Sequence, residues 1–524
     1  MKKIIALVLA LILTFSLFAP AVSAASAKTY PVIYIQGYGA PIVAEKGNRN
    51  SDVYYPTGAD VGAIVREALG PCLAELAMGV ASGNYEKYCD ELYNAVAPIY
   101  ENLLLNPDGT AKGNSGAMYL PSTGLSEYDR FSGGKASFSY DWRLSPETVA
   151  EDLAAYVNKI LAKTGAKKVD IIGRCLGGNI LSAYLQNFSE DAKKKIDDAI
   201  LFIPSTEGIN MIGALFAGKL EINANNLDEF AEEFFKYQAF IEDPAIRDFA
   251  IVLISIFEQA EVLNVSVDSL QFFIDAIKDN LIPRLVRGSY GSFPSFWSMV
   301  PDEYLEDAIA FVYNTPELQE EYAGTIELAR SYNDNVKVKA RDCVTELSET
   351  IDISIISKYN IPVMPIFPDC NNTADGTAET YLTSFGATTA NFGKTLSEEY
   401  IASISEEDLK YLSADEKIDA STCALPDKTW FIKNSYHDHF PDSIDRLMER
   451  IFTTEDMTVF SDEEFPQFLD ADVTGEELTP VTEKDKEKPD YNTEEGKYYL
   501  LFEFIMAVIP ILIKLINLIY TNLK

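Results

Sequence analysis

A chain of 524 residues is too long for one small core and points to one large domain with insertions, or to two domains. Hydrophobic residues make up 47% of it, which excludes wholesale disorder. With 80 acidic against 43 basic residues the formal net charge is −37, so the surface repels phosphate backbones and anionic membranes, and nucleic acid is excluded as a partner.

The first 27 residues carry Lys2 and Lys3, a long apolar run, and small residues at Val22-Ser23-Ala24 and Ala25-Ser26-Ala27. This is the layout of a cleaved signal peptide, so a secreted or surface-tethered protein is expected. Pro31–Ile35 is an early apolar strand that runs into the turn Gln36-Gly37-Tyr38-Gly39. Ala136–Trp142 predicts a second strand. Ser145 then caps a helix with Pro146 in its first turn; Val149, Leu153, Tyr156, Val157 and Ile160 share one face, and Gly165 closes it. Val169–Ile172 predicts a third strand, followed by a turn and a helix on which Leu181, Tyr184, Leu185 and Phe188 align. Ala199–Ile203, Pro362–Phe367 and Lys428–Ile432 are the later predicted strands. Strands alternating with helices imply an α/β fold with a mostly parallel central sheet covered on both faces.

The long acidic, mainly helical stretch between Ile203 and Pro362 exceeds any loop and reads as a large helical cap insertion. Its many Phe, Leu and Ile side chains would shelter an apolar pocket or, for most of them, fill the cap's own core. The expected organisation is a core of residues 28–204, a cap of 205–355, a second core segment of 356–470, a charged linker of 471–497 and a hydrophobic C-terminal helix of 498–520. That last segment is long enough to span a membrane, although Glu503, Pro510, Lys514 and Asn517 interrupt it. A membrane-associated helix is preferred over a packed core helix. There are six cysteines; secretion would permit Cys72 to pair with Cys89 and Cys370 with Cys423, but sequence alone leaves the connectivity open.

Gly173-Arg174-Cys175-Leu176-Gly177 has the G-x-nucleophile-x-G spacing of a nucleophile elbow, between a strand and a helix. Glycines two residues either side let the backbone approach closely, and Cys175 stands where serine is usual. The Leu176 amide, at the start of the helix, is a candidate oxyanion donor, and the Tyr38 amide in the first glycine turn is the second. A nucleophile needs a base, and the only histidines, His437 and His439, cluster after the strand Lys428–Ile432. His437 is preferred because it comes first. His437, Asp438 and His439 lack a further histidine to complete a metal site, so no metal is expected there. For the carboxylate that orients the base, Asp369, Asp375, Asp415 and Asp419 are candidates; Asp415 is chosen narrowly over Asp375. Ser-Ala-Asp415-Glu-Lys resembles an acid-bearing run of many lipases, whereas Asp375 follows the preceding predicted strand closely.

Taken together, the segments IYIQGYGAP, FSYDWRLSP, VDIIGRCLGGNI, SFPSFWSMVP and DKTWFIKNSYHDHF resemble the lecithin:cholesterol acyltransferase-like branch of the α/β-hydrolase superfamily. Tyr140-Asp141-Trp142-Arg143 is the most specific match. The resemblance implies a lipase, esterase or acyltransferase acting on an ester or lipid without a cofactor. Cys175 departs from that branch and is similar to the elbow cysteine of dienelactone hydrolases and polyhydroxyalkanoate synthases. An acyltransferase using the same site and a catalytically silent binding protein on the same scaffold are the alternatives.

Overall fold

The computed structural model describes residues 30–54, 71–72, 74–126, 131, 133–222, 267–368, 370–471 and 477–482. Eight strands form its central sheet: β1 (Val32–Ile35), β2 (Lys135–Phe138), β3 (Val169–Arg174), β4 (Ile196–Phe202), β5 (Asp352–Tyr359), β6 (Thr429–Lys433), β7 (Phe468–Ala471) and β8 (Leu478–Pro480). Their spatial order is β8-β7-β6-β5-β4-β3-β1-β2. Each neighbouring pair runs parallel except β7 with β8.

Successive side chains of a strand point to opposite faces, so a sheet covered on both sides needs apolar residues at every position. Ile171 and Ile172 illustrate this. The first joins a core with Ile33, Leu201 and Ile355, the second a core with Val32, Ile200 and Ile356. On the first face lie α1 (Pro146–Thr164) and α2 (Leu176–Asn187); on the second, Ile444, Leu447, Met448 and Ile451 of α3 (Asp442–Thr453) close the layer. The start of α1 follows its sequence signals: the Ser145 hydroxyl accepts from the Glu147 amide at 3.3 Å. Gly165 ends it at a φ of 71°, where a side chain would be strained.

Four boundaries differ from the sequence reading. Pro362–Phe367 is not a strand; Pro362 and Pro365 lack the N–H a central strand must donate. The strand is β5, Asp-Ile-Ser-Ile-Ile-Ser-Lys-Tyr, whose β-branched isoleucines suit a sheet. The segment assigned to the cap therefore ends before Asp352 rather than at residue 355. The second strand stops at Phe138, and Tyr140–Arg143 leaves the sheet as a turn. The expected linker of 471–497 contributes Ala471 to β7 and Leu478–Pro480 to β8. None of the six cysteines is in a disulfide, so neither suggested pairing forms. The expected signal peptide (residues 1–27), residues 223–266 of the expected cap and the expected hydrophobic helix of 498–520 lie outside the described residues; among those described, no helix is long and apolar enough to cross a membrane.

The turn after β2 is held by a buried ion pair. The Arg143 guanidinium grips Asp141 with two bonds of 2.9 and 2.7 Å, donates to the Leu103 carbonyl at 2.7 Å and reaches the Ser115 hydroxyl at 3.1 Å. Arg143 is wholly buried, so its replacement strips the Asp141 carboxylate of its counter-ion, leaving it only the residue 143 amide at 3.2 Å, and removes the guanidinium from the Leu103 carbonyl. Arg143→Met is expected to destabilise the fold by about 3–5 kcal/mol, the range for breaking one side of a buried pair. Urea unfolding measures it, and a loss within experimental error would contradict this account of the turn.

Candidate active site

Cys175 sits between β3 and α2 with φ 51° and ψ −121°. A non-glycine residue in this region is strained by roughly 1–3 kcal/mol, so its surroundings must hold it there. Its amide donates to the Phe202 carbonyl at 3.1 Å, and its carbonyl accepts from the Gly178 amide at 2.8 Å. The flanking glycines are required by space. A Cβ on Gly177 would lie 2.2 Å from the Ile35 carbonyl oxygen, and one on Gly173 would lie 2.7 Å from the Gly177 carbonyl oxygen. Gly178, which the elbow spacing did not demand, faces Pro204, whose Cβ would be 2.6 Å from its own.

The turn after β1 reaches the same place. A Cβ on Gly37 would be 3.1 Å from the Cys175 Cβ and 3.6 Å from its Sγ. The Tyr140 hydroxyl donates to the Gln36 carbonyl at 2.5 Å. The Tyr38 ring packs edge-on against Trp142, with centroids 4.8 Å apart, and against Phe296 at 5.1 Å. Tyr140-Asp141-Trp142-Arg143 thus has two tasks: its charged pair anchors the turn, and its aromatic pair holds the Gln36–Tyr38 loop beside the cysteine. The Leu176 backbone opens α2 next to Cys175.

His437 follows β6 and faces Cys175. Its Nδ1 lies 2.7 Å from Asp375 Oδ2, and its backbone amide donates to the Asp375 carbonyl at 2.8 Å. The other carboxylate oxygen accepts from the amides of Thr377 at 3.0 Å and Ala378 at 2.8 Å. Burial alone would drive the Asp375 carboxyl up, but His437 and the Ala378 amide outweigh it and hold it below the usual carboxylate range. Burial likewise opposes charge on His437, yet Asp375 and Cys175 raise the imidazole well above its ordinary value. Burial pushes the Cys175 thiol up; His437, through charge and a side-chain hydrogen bond, and then Arg174 bring it below the ordinary thiol value. All three shifts run in the direction that favours a thiolate–imidazolium pair backed by an ionised carboxylate.

Asp415 does not take the expected place. Its Oδ2 pairs with the buried Lys433 ammonium at 3.0 Å and accepts from the Tyr359 hydroxyl at 3.2 Å. It is an internal counter-ion of β6, and the carboxylate at His437 is Asp375. Asp419 accepts from the Ser421 amide at 2.9 Å and the Tyr400 hydroxyl at 2.9 Å. Asp369 lies outside the described residues. His439 offers its backbone carbonyl to Lys358 at 2.7 Å, whereas the ring against Cys175 belongs to His437.

Two further contacts went unread in the sequence. Arg174, inside the elbow, makes an ion pair with Asp438 and lies 3.6 Å above the Phe440 ring, so the elbow grips the histidine loop directly. Asn179 bonds to the hydroxyls of Ser205 at 2.9 Å and Ser298 at 3.0 Å, fastening the start of α2 to two distant segments. For these pairs the sequence offered no signal beyond the residue types. Asp170, Asp197 and Asp198 bring carboxylate oxygens within 4.8 Å of one another, but near the starts of β3 and β4, whereas Cys175 follows the end of β3. No protein-family model and no curated protein matches the chain significantly.

The sign of the Cys175 shift depends on His437. Alkylation of Cys175 by iodoacetamide, followed by mass spectrometry of its peptide, is expected to be half-maximal below the ordinary thiol value of about pH 8.5. In His437→Gln the two lowering influences of the imidazole vanish and burial prevails, so the midpoint moves above that value. Identical profiles in the two proteins would refute the ion pair.

Proposed function

We propose that the chain is a cysteine-nucleophile α/β-hydrolase of the lecithin:cholesterol acyltransferase-like branch that cleaves carboxylic esters, lipid esters among them, at or outside the cell surface. The observation that carries this reading is the convergence of a strained elbow cysteine, a histidine and a buried carboxylate at one edge of a parallel sheet. The resemblance of Tyr140-Asp141-Trp142-Arg143 and the order nucleophile, acid, histidine along the chain agree with it.

In this mechanism the Cys175 Sγ attacks the ester carbonyl carbon. The oxygen that gains negative charge is held by the amides of Leu176 and Tyr38. The His437 imidazolium gives its proton to the departing alkoxide, which leaves as an alcohol, and an acyl-thioester remains on Cys175. Neutral His437 then takes a proton from water, whose oxygen attacks the thioester carbonyl. Collapse of the second tetrahedral intermediate expels the Cys175 thiolate and releases the carboxylic acid. Asp375 stays ionised throughout, fixes the Nδ1–H tautomer of His437 and stabilises its cationic form. No cofactor enters any step.

The test is a panel of p-nitrophenyl esters of increasing chain length, with an acid quench to trap the acyl-enzyme. Cys175→Ala is expected to abolish turnover and the acyl adduct together; undiminished hydrolysis by that variant would overturn the assignment. Asp375→Asn is expected to lower turnover by about 10²–10⁴-fold, as when the orienting carboxylate of a triad is neutralised. Asp415→Asn is expected to lower stability while leaving turnover per folded molecule intact. The reverse ranking would reinstate Asp415 as the acid.

A further inference from the structure

β5 carries a lysine into the interior. Lys358 is completely buried, one residue before the strand's end. Its Nζ donates to the Tyr436 carbonyl at 2.6 Å and the His439 carbonyl at 2.7 Å, and lies 3.5 Å from the His437 carbonyl. An ammonium has three N–H donors and no acceptor, which matches three converging carbonyls. The ring of Phe440 lies 4.6 Å away and that of Phe202 5.4 Å away, so the charge also faces two aromatic rings. The Phe440 ring thus meets two cations, Lys358 and, at 3.6 Å, Arg174.

We propose that Lys358 is a positioning residue for His437: from within the sheet its ammonium gathers the carbonyls of the loop Tyr436–His439 and fixes the imidazole between Cys175 and Asp375. The inference rests on the triad reading and goes beyond it by assigning a residue that touches neither substrate nor reacting atoms. Desolvation of a lysine is expensive and is tolerated here because every donor is used. A simple space-filling role would be met by leucine or methionine at no such cost.

The charges around the loop are few and nameable. Asp375 favours the Lys358 ammonium, Asp438 favours it more weakly, and Arg174 opposes it; burial dominates and brings its pKa down to about 7. In the other direction, Lys358 helps to keep Asp375 ionised. Cys175 is faced by His437, Arg174 and Asp438, and by the phenols of Tyr34 and Tyr140. Losing Lys358 frees the loop, lengthens the approach of His437 to Cys175 and weakens the ion pair.

The experiment is the pH profile of Cys175 alkylation by iodoacetamide in Lys358→Met and Lys358→Arg. This readout needs no ester, so it remains informative if the chain fails to hydrolyse any member of the panel. Arginine retains a charge but does not present a compact ammonium to the loop. Both variants are expected to move the midpoint to higher pH and to slow alkylation at pH 6 by about tenfold or more, the change expected from one pKa unit of lost thiolate. Ester turnover is expected to fall in kcat with little change in KM. If methionine prevents folding, the arginine variant, checked by circular dichroism, decides alone. A wild-type alkylation profile in a folded variant overturns the proposal. If the wild-type protein alkylates Cys175 with the depressed midpoint yet hydrolyses no ester, the functional reading fails and the role of Lys358 in the ion pair is still judged.

Discussion

The close approach of β1 to the first turn of α2 governs the rest of the structure. With the Gly177 Cβ position only 2.2 Å from the Ile35 carbonyl oxygen, no side chain fits between strand and helix. That contact brings the Gln36–Tyr38 loop against Cys175 and compels the sharp backbone turn on which the thiol stands. Once these two backbones touch, the locations of Cys175 and of the nearby amides follow from covalent geometry, with little left to side-chain choice.

The rest of the site is an electrostatic assembly built around that fixed point. Inside, each group is answered by protein, Cys175 by His437, His437 by Asp375 and the Asp375 carboxylate by two amides; at the rim Arg174 pairs with the half-exposed Asp438. For Cys175, His437 and Asp375 the arrangement balances burial, which opposes each charge, against close partners. The loop Tyr436–Phe440 takes part twice, through its side chains above the sheet and its carbonyls facing into it.

Much of this was legible in the sequence because it is local. The elbow is a steric code of glycines within five residues, the helix cap at Ser145 a code of two, and the strands β1, β3, β4 and β6 short apolar runs. What was not legible depends on partners far along the chain. Asp375 and Asp415 look equivalent as acids near a histidine; only the folded structure shows Lys433 and Tyr359 claiming Asp415. The Asp438 partner of Arg174 is 264 residues away. The misplaced strand is different in kind, since its signal was present: two prolines argued against Pro362–Phe367, and alternating isoleucines argued for β5 ten residues earlier.

The strand order has a consequence for how the site comes into being. Cys175 and its turn are completed by β1, β3 and β4, all from the first 202 residues, whereas Asp375 and His437 arrive on loops after β5 and β6. Contacts of such sequence separation form late, because closing the long intervening chain costs entropy before any bond rewards it. Until β6 docks beside β5, Cys175 lacks its imidazole partner. The imidazole and the carboxylate thus reach Cys175 only once the second half of the sheet is in place.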